Sequence, residues 1–211
     1  MRIIICLVIL LLKTSSACAE VDPIAFEEFK SYLGSLKSVA IDFEQEDHRG
    51  AEASGTLVIV KPEKFACNYY APYPLFIAGN KSYLSVYDFD LEQLTRIDAN
   101  DNMFNFLLTS RVEIEKHFTI NKATKTDDEI EVELYHEESD RTTSILIDLK
   151  PLQLKSIITG ESDGNVITLH ISKITQIKDV DQELFIIKNP DIYGKPQRLD
   201  RTRLAKKYKV L

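Results

Sequence analysis

Between Gly55 and Leu94 the sequence reads GTLVIVKPEKFACNYYAPYPLFIAGNKSYLSVYDFDLEQL, and this stretch leaves few folds open. Strand-length runs are separated by turn-forming residues at Lys61-Pro62-Glu63-Lys64, Ala71-Pro72-Tyr73-Pro74, Gly79-Asn80 and Asp88-Phe89-Asp90. Side chains capable of covalent chemistry are almost absent from it. Apolar and aromatic ones recur instead, among them Leu57, Ile59, Phe65, Tyr69, Ile77 and Tyr83. The stretch therefore predicts sheet surface that holds something apolar.

The flanking sequence continues the pattern. Asp22-Pro23 predicts a helix start, with Asp22 as N-cap and Pro23 at the first helical position. Phe26, Phe29, Leu33 and Leu36 then recur at helical spacing, so one stripe of this helix is apolar. Val39, Ile41 and Phe43 alternate with polar neighbours as in a half-buried strand, and Glu92 to Ile97 reads as a further strand. The segment Met103 to Leu108 is apolar enough to need a cover, and its length predicts a short helix. Ile130, Val132 and Leu134 alternate with Glu129, Glu131 and Glu133, and Ile145, Ile147 and Leu149 repeat the pattern. A turn at Asp163-Gly164 predicts a hairpin joining the Leu154–Thr159 and Val166–Ser172 runs, and Leu184 to Ile187 reads as a last strand. Many short strands with two apolar helical segments describe one domain, mainly β with α, built on a strongly curved antiparallel sheet. Such a sheet closes as a barrel or leaves a mouth that the helices must cover.

The first 19 residues predict a cleaved secretory signal: Arg2, an apolar run from Ile3 to Leu12, and small residues at Ala17-Cys18-Ala19 before Glu20. A retained anchor and lipid attachment at Cys18 are the alternatives. Cleavage would leave Cys67 as the remaining thiol, so no internal disulfide can form and the core must supply stability. The chain carries a net charge of −7, which argues against nucleic acid as a partner. Residues 191–211 have the opposite balance, with seven lysines and arginines against Asp191 and Asp200. The expectation is a disordered terminus, with contact to an anionic membrane as the alternative.

No nucleophile elbow, phosphate-binding glycine loop or HExxH motif is present, so the chain is expected to be neither an enzyme nor a cofactor or metal protein. His136-Glu137-Glu138 is read as a solvated strand end rather than a metal site, and Asp88, Asp90 and Glu92 as a hairpin turn rather than a calcium loop. Lys61 ends a strand that is apolar on both faces, directly before Pro62. It is either a solvated strand-end lysine or a donor that reaches carbonyls of a covering helix.

The run Gly55-Thr56-Leu57, Lys61-Pro62, Lys64-Phe65, Tyr70 and Pro72, followed by Leu84, Tyr87-Asp88 and Asp90-Leu91-Glu92-Gln93, is similar to the periplasmic outer-membrane lipoprotein carriers of the LolA family. Phe43-Glu44-Gln45 resembles the family's F-x-Q strand, and Leu184-Phe185 with Pro190 its final strand; the likeness spans about Phe26 to Pro190. It implies an unclosed antiparallel barrel whose helices cover a hydrophobic cavity for lipoprotein acyl chains, lined by Phe26, Phe29, Leu33, Leu57, Ile59 and Phe104. It implies a monomeric chaperone in the periplasm of a Gram-negative bacterium. The implied partners are acylated lipoproteins, an inner-membrane ABC-type lipoprotein release complex and an outer-membrane lipoprotein acceptor. A lipid-binding or lipoprotein-sensing regulator on the same scaffold is the alternative. Where the family has an arginine that bonds lid carbonyls, this chain has Lys61, and the matching carbonyls would be those of Leu107 and Leu108. Lysine keeps the charge and loses the planar fork. Phe65 matches a phenylalanine near the docking surface for the release complex, and the basic segment 191–211 has no counterpart in the pattern.

Overall fold

A computed structural model describes residues 20–62, 64–79, 83–98, 105–109, 113–161 and 164–211. The expected signal at 1–19, Met103 and Phe104 lie outside the described residues. The chain opens with helix α1 (Pro23–Ser35), whose N-cap is Asp22: its carboxylate accepts the Ile24 N–H at 2.8 Å, with Pro23 in the first turn. Six strands follow, β1 (Ser38–Asp47), β2 (Glu52–Val60), β3 (Lys64–Tyr69), β4 (Leu75–Gly79), β5 (Tyr83–Asp88) and β6 (Gln93–Asp98). Two single-turn helices, α2 (Asn105–Leu108) and α3 (Ile114–His117), lead into β7 (Thr119–Lys125), β8 (Glu129–His136), β9 (Arg141–Leu149), β10 (Leu152–Glu161) and β11 (Val166–Lys178). A 3-10 turn at Gln182–Phe185, helices α4 (Pro190–Tyr193) and α5 (Arg201–Ala205), and a two-residue strand β12 (Lys209–Val210) complete it.

All strands join one antiparallel sheet in the order β6-β5-β4-β3-β2-β1-β11-β10-β9-β8-β7, with β12 paired to the far end of β11. The sheet is unclosed, with β6 and β7 as its two edges. Register shifts at Asp42/Phe43 in β1, Ile120/Lys122 in β7 and Leu154/Ser156 in β10 bend it. The hairpin predicted across Gly164 is formed by β10 and β11, and Asp88 turns β5 into β6 by accepting the N–H groups of Asp90 and Leu91.

The two faces of the sheet are both dry along β1–β3. On the concave face, Leu57, Ile59, Phe65 and Cys67 pack with Phe29 and Leu33 of α1, Leu107 and Leu108 of α2, and Ile114 of α3. On the convex face, Ala40, Val58, Ala66 and Phe76 pack with Leu184, Phe185, Leu199 and Leu204 from the C-terminal segment. Gly55 shows how tightly the concave side is built. It stands between Phe43 and Tyr69 across the ladder, and a Cβ there would lie 2.6 Å from the Phe43 ring and 2.8 Å from the Asn68 carbonyl oxygen. Only glycine fits beneath that ring.

Three expectations are corrected. Leu184–Ile187 is not a strand: the Asp181 carboxylate accepts the Glu183 N–H at 3.0 Å and turns the chain into a 3-10 helix that buries Leu184 and Phe185. Residues 191–211 are not a disordered terminus. Leu199 and Leu204 are buried, the Asn68 side chain donates to the Leu199 carbonyl at 3.0 Å, and Arg201 lies over the Tyr70 ring at 5.4 Å. The basic residues of the segment meet acids of the body: Lys195 pairs with Glu92, Lys207 with Asp181 at 2.9 Å and Lys209 with Asp179 at 3.3 Å. His136, finally, is buried rather than solvated, with its Nδ1 2.8 Å from the Ser139 hydroxyl and its ring 5.2 Å from that of Phe118.

Leu204, 1 % exposed, measures what the C-terminal segment contributes. We expect Leu204→Ala to lower the free energy of unfolding in urea by about 2–4 kcal/mol. A terminus that did not pack would give no change.

Candidate functional site

Alternation along β2 and β3 decides which side chains enter the concavity. Leu57, Ile59 and Lys61 point one way, and Phe65, Cys67 and Tyr69 meet them from β3, while Val58, Val60, Ala66 and Asn68 point outward. The expected cavity residues described by the structure come together here: Phe26, Phe29 and Leu33 from above, Leu57 and Ile59 from the wall. Phe104 lies outside the described residues. The concavity is filled by the chain's own side chains, with Phe29 and Ile59 fully buried and Leu33 and Leu57 nearly so. Phe26 and Phe29 stack with ring centres 6.0 Å apart. Cys67 is also fully enclosed, and that burial pushes its thiol far above the ordinary range, so it is inert while the covers are in place.

Lys61 grips the end of α1. Its Nζ donates to the Leu33 carbonyl at 2.8 Å, and its backbone N–H donates to the Lys37 carbonyl at 2.8 Å. A cation on this last-turn carbonyl, which also accepts the Leu36 N–H at 3.2 Å, answers the negative end of the helix dipole. This acceptor belongs to the first helix; the family resemblance pointed to the carbonyls of Leu107 and Leu108. Those two leucines lie in the concave cluster and contribute buried side chains to the cover. Phe65, expected near a docking surface, is completely buried among the concave residues.

Lys64, three residues on, faces the other side. Its Nζ donates to the Gln182 side chain and lies 6.0 Å from the Phe185 ring centre. The turn between β2 and β3 is therefore fastened inward to the cover and outward to the C-terminal segment.

Sequence reasoning missed two further contacts that seat α1. Tyr32 accepts the Leu154 N–H at 2.6 Å, just before the register shift in β10. Burial pushes the Tyr32 phenol upward, which keeps it neutral. At the other end, Asp22 N–H donates to the Ala123 carbonyl at 2.8 Å and Ala123 N–H to the Glu20 carbonyl at 3.0 Å, so the chain before α1 lies against edge strand β7. The F-x-Q pattern also acquires a reason: Phe43 meets Tyr69 edge-on at 5.3 Å, and Gln45 accepts the Tyr69 hydroxyl at 2.8 Å. What the site offers chemically is apolar surface under a cover held by few polar contacts.

Comparison with known proteins agrees with this geometry. Residues 34–188 match the family model described as outer membrane lipoprotein carrier protein LolA. The chain is 40 % identical over 187 residues to an uncharacterized protein of Rickettsia prowazekii, covering 89 % of this chain and 87 % of that one. It is 34 % identical over 110 residues to the outer-membrane lipoprotein carrier protein of Chromobacterium violaceum, covering 49 % of this chain and 53 % of the other. Among solved structures, a LolA superfamily protein from Nitrosomonas europaea aligns with a TM-score of 0.46 at 13 % identity, covering 80 % of this chain and 99 % of that one.

Removing the Lys61 ammonium should loosen the last turn of α1 first. Lys61 is half-exposed, so we expect Lys61→Met to cost about 1 kcal/mol locally, seen as roughly five-fold faster hydrogen exchange across 33–37. Lys61→Arg should restore protection, and unchanged exchange in Lys61→Met would return Lys61 to the solvated reading.

Proposed function

The chain belongs to the LolA family of outer membrane lipoprotein carrier proteins, and from that premise we propose that it is a periplasmic chaperone for lipoprotein acyl chains. It takes lipoproteins from an inner-membrane ABC-type release complex and hands them to an outer-membrane acceptor, acting as a monomer. The observation that carries this reading is the concave cluster: a largely apolar sheet face, covered by helical segments fixed through separate polar contacts.

The physics of the task sets what such a carrier needs. Each methylene buried is worth roughly 0.8 kcal/mol, so an acylated protein does not leave a membrane unaided at useful rates. A carrier must match that apolar surface and hide it when empty. In the closed form Phe26, Phe29, Leu33, Leu107 and Leu108 occupy the place that acyl chains would take against Leu57, Ile59, Ile130 and Ile145. Loading then exchanges one apolar partner for another. The net gain is the cargo's burial less the cost of lifting the covers, which leaves affinity low enough for later release.

The test mixes the purified protein with inner-membrane vesicles bearing an energised lipoprotein-releasing transporter. A soluble complex with an acylated protein is the expected result, identified by native mass spectrometry of the bound species. Free lipid as the bound species would favour a lipid-binding or sensing role on the same scaffold, and no release would overturn the carrier reading.

A further inference from the structure

Lys30 is the one lysine or arginine that is buried among the described residues, and it lies where the covers of the concave face meet. It sits four residues after Phe26 on the apolar stripe of α1, so helical periodicity turns it inward with Phe29 and Leu33. Its ammonium is 4.7 Å from the centre of the Phe26 ring. Two carboxylates reach down to it from the surface: Glu27 at 2.7 Å, one turn earlier in α1, and Glu115 at 3.3 Å, from α3. The Lys30 side chain is 8 % exposed, whereas Glu27 and Glu115 are 54 % and 58 % exposed. The Glu27 bond raises the affinity of Lys30 for its proton, against the opposing effect of burial, so the ammonium stays charged.

The two halves of this arrangement differ in kind. The bond to Glu27 is internal to α1 and survives any rigid movement of that helix. The bond to Glu115 crosses from one cover to the other. Lys61, by contrast, ties α1 to the wall at its last turn, where four residues of chain separate the bound carbonyl's residue from the start of β1 at Ser38. Loss of the Lys61 bond would leave α1 and α3 fastened together; loss of the Lys30–Glu115 bond removes the ion pair that crosses between them, while α1 keeps its Glu28–Lys125 pair and the Asp22–Ala123 backbone bond to β7.

We propose that the Lys30–Glu115 contact is the seam at which the covers part, so that an acyl chain enters between α1 and α3 and Lys30 is the residue that positions one against the other. This rests on the carrier reading for what enters, while the seam itself is tested without cargo. When the seam opens, Lys30 keeps Glu27 and the Phe26 ring, and Glu115 regains water at little cost because it is already half in solvent. A contact so arranged opens without stranding a buried charge.

Cys67 supplies the readout, since it is enclosed in the same concave cluster and is the single thiol of the form expected to begin at Glu20. Alkylation of Cys67 by iodoacetamide is followed at low urea alongside global unfolding of the same variants. Lys30→Met keeps the apolar stem, and Glu115→Gln keeps the shape. Each should raise the labelling rate roughly two- to five-fold while the urea midpoint stays within error of the parent protein. The double variant should label no faster than the quicker single one, because both remove the same bond. Lys30→Arg should label at the parental rate. Labelling unchanged in both single variants, or rising only in proportion to the global unfolding constant, would overturn the seam. Failure of lipoprotein release with the labelling pattern intact would instead sink the carrier reading and leave the seam standing.

Discussion

A strand with two apolar faces must be covered twice, and in this molecule that strand is β2. Thr56 to Ile59 are buried in succession, which no half-exposed sheet allows. Its inner residues Leu57 and Ile59 are covered by α1 and α2, and its outer residue Val58 by the C-terminal segment. The remaining architecture follows from supplying those two covers at one place. The turn after β2 shows the same duality in its charges, because Lys61 reaches the inner cover and Lys64 the outer one.

The two covers differ in how they are held. The outer one is seated by Leu199, Leu204 and Phe185, by the β12 pairing with Ile177 and Lys178, and by ion pairs that join a basic segment to an acidic body. The inner one is packed through Phe29, Leu33, Leu107 and Leu108, and its polar attachments are separate bonds spread around it: Lys61 to Leu33, Lys30 to Glu115, Tyr32 to Leu154 and Lys125 to Glu28, with the Asp22–Ala123 backbone pairing just before α1. A buried Leu or Phe contributes about 1.5–3 kcal/mol, so apolar packing decides whether the cover docks at all. The single bonds, worth about 1 kcal/mol each, decide where it docks. Apolar cargo offers the same packing, so only the bonds distinguish the chain's own cover from a guest.

Much of this was legible in the sequence wherever a local rule coincided with the global fold. The alternation in β8 and β9, the Asp22-Pro23 helix start and the Asp88 turn are set by neighbours a few residues away, and they appear as predicted. The errors lie where a distant contact decides. Leu184-Phe185-Ile186-Ile187 has strand composition, but the Asp181 cap turns it, and the convex sheet face receives it. The basic charge of 191–211 drew the reading away from Leu199 and Leu204, the two residues that fix the segment. Lys30 was not singled out in the sequence, although its place on the Phe26–Leu33 stripe puts it inside.

The outer cover also imposes an order on folding. The convex faces of β1 to β4 are made early, between residues 38 and 79, yet Leu199 and Leu204 close over them. A chain emerging from its N-terminal end therefore carries a bare apolar sheet face until well over a hundred further residues have followed. Through that interval the half-finished sheet exposes apolar surface of the kind that favours aggregation. A protein whose proposed work is to shield greasy surface in others would itself need shielding while it is being made.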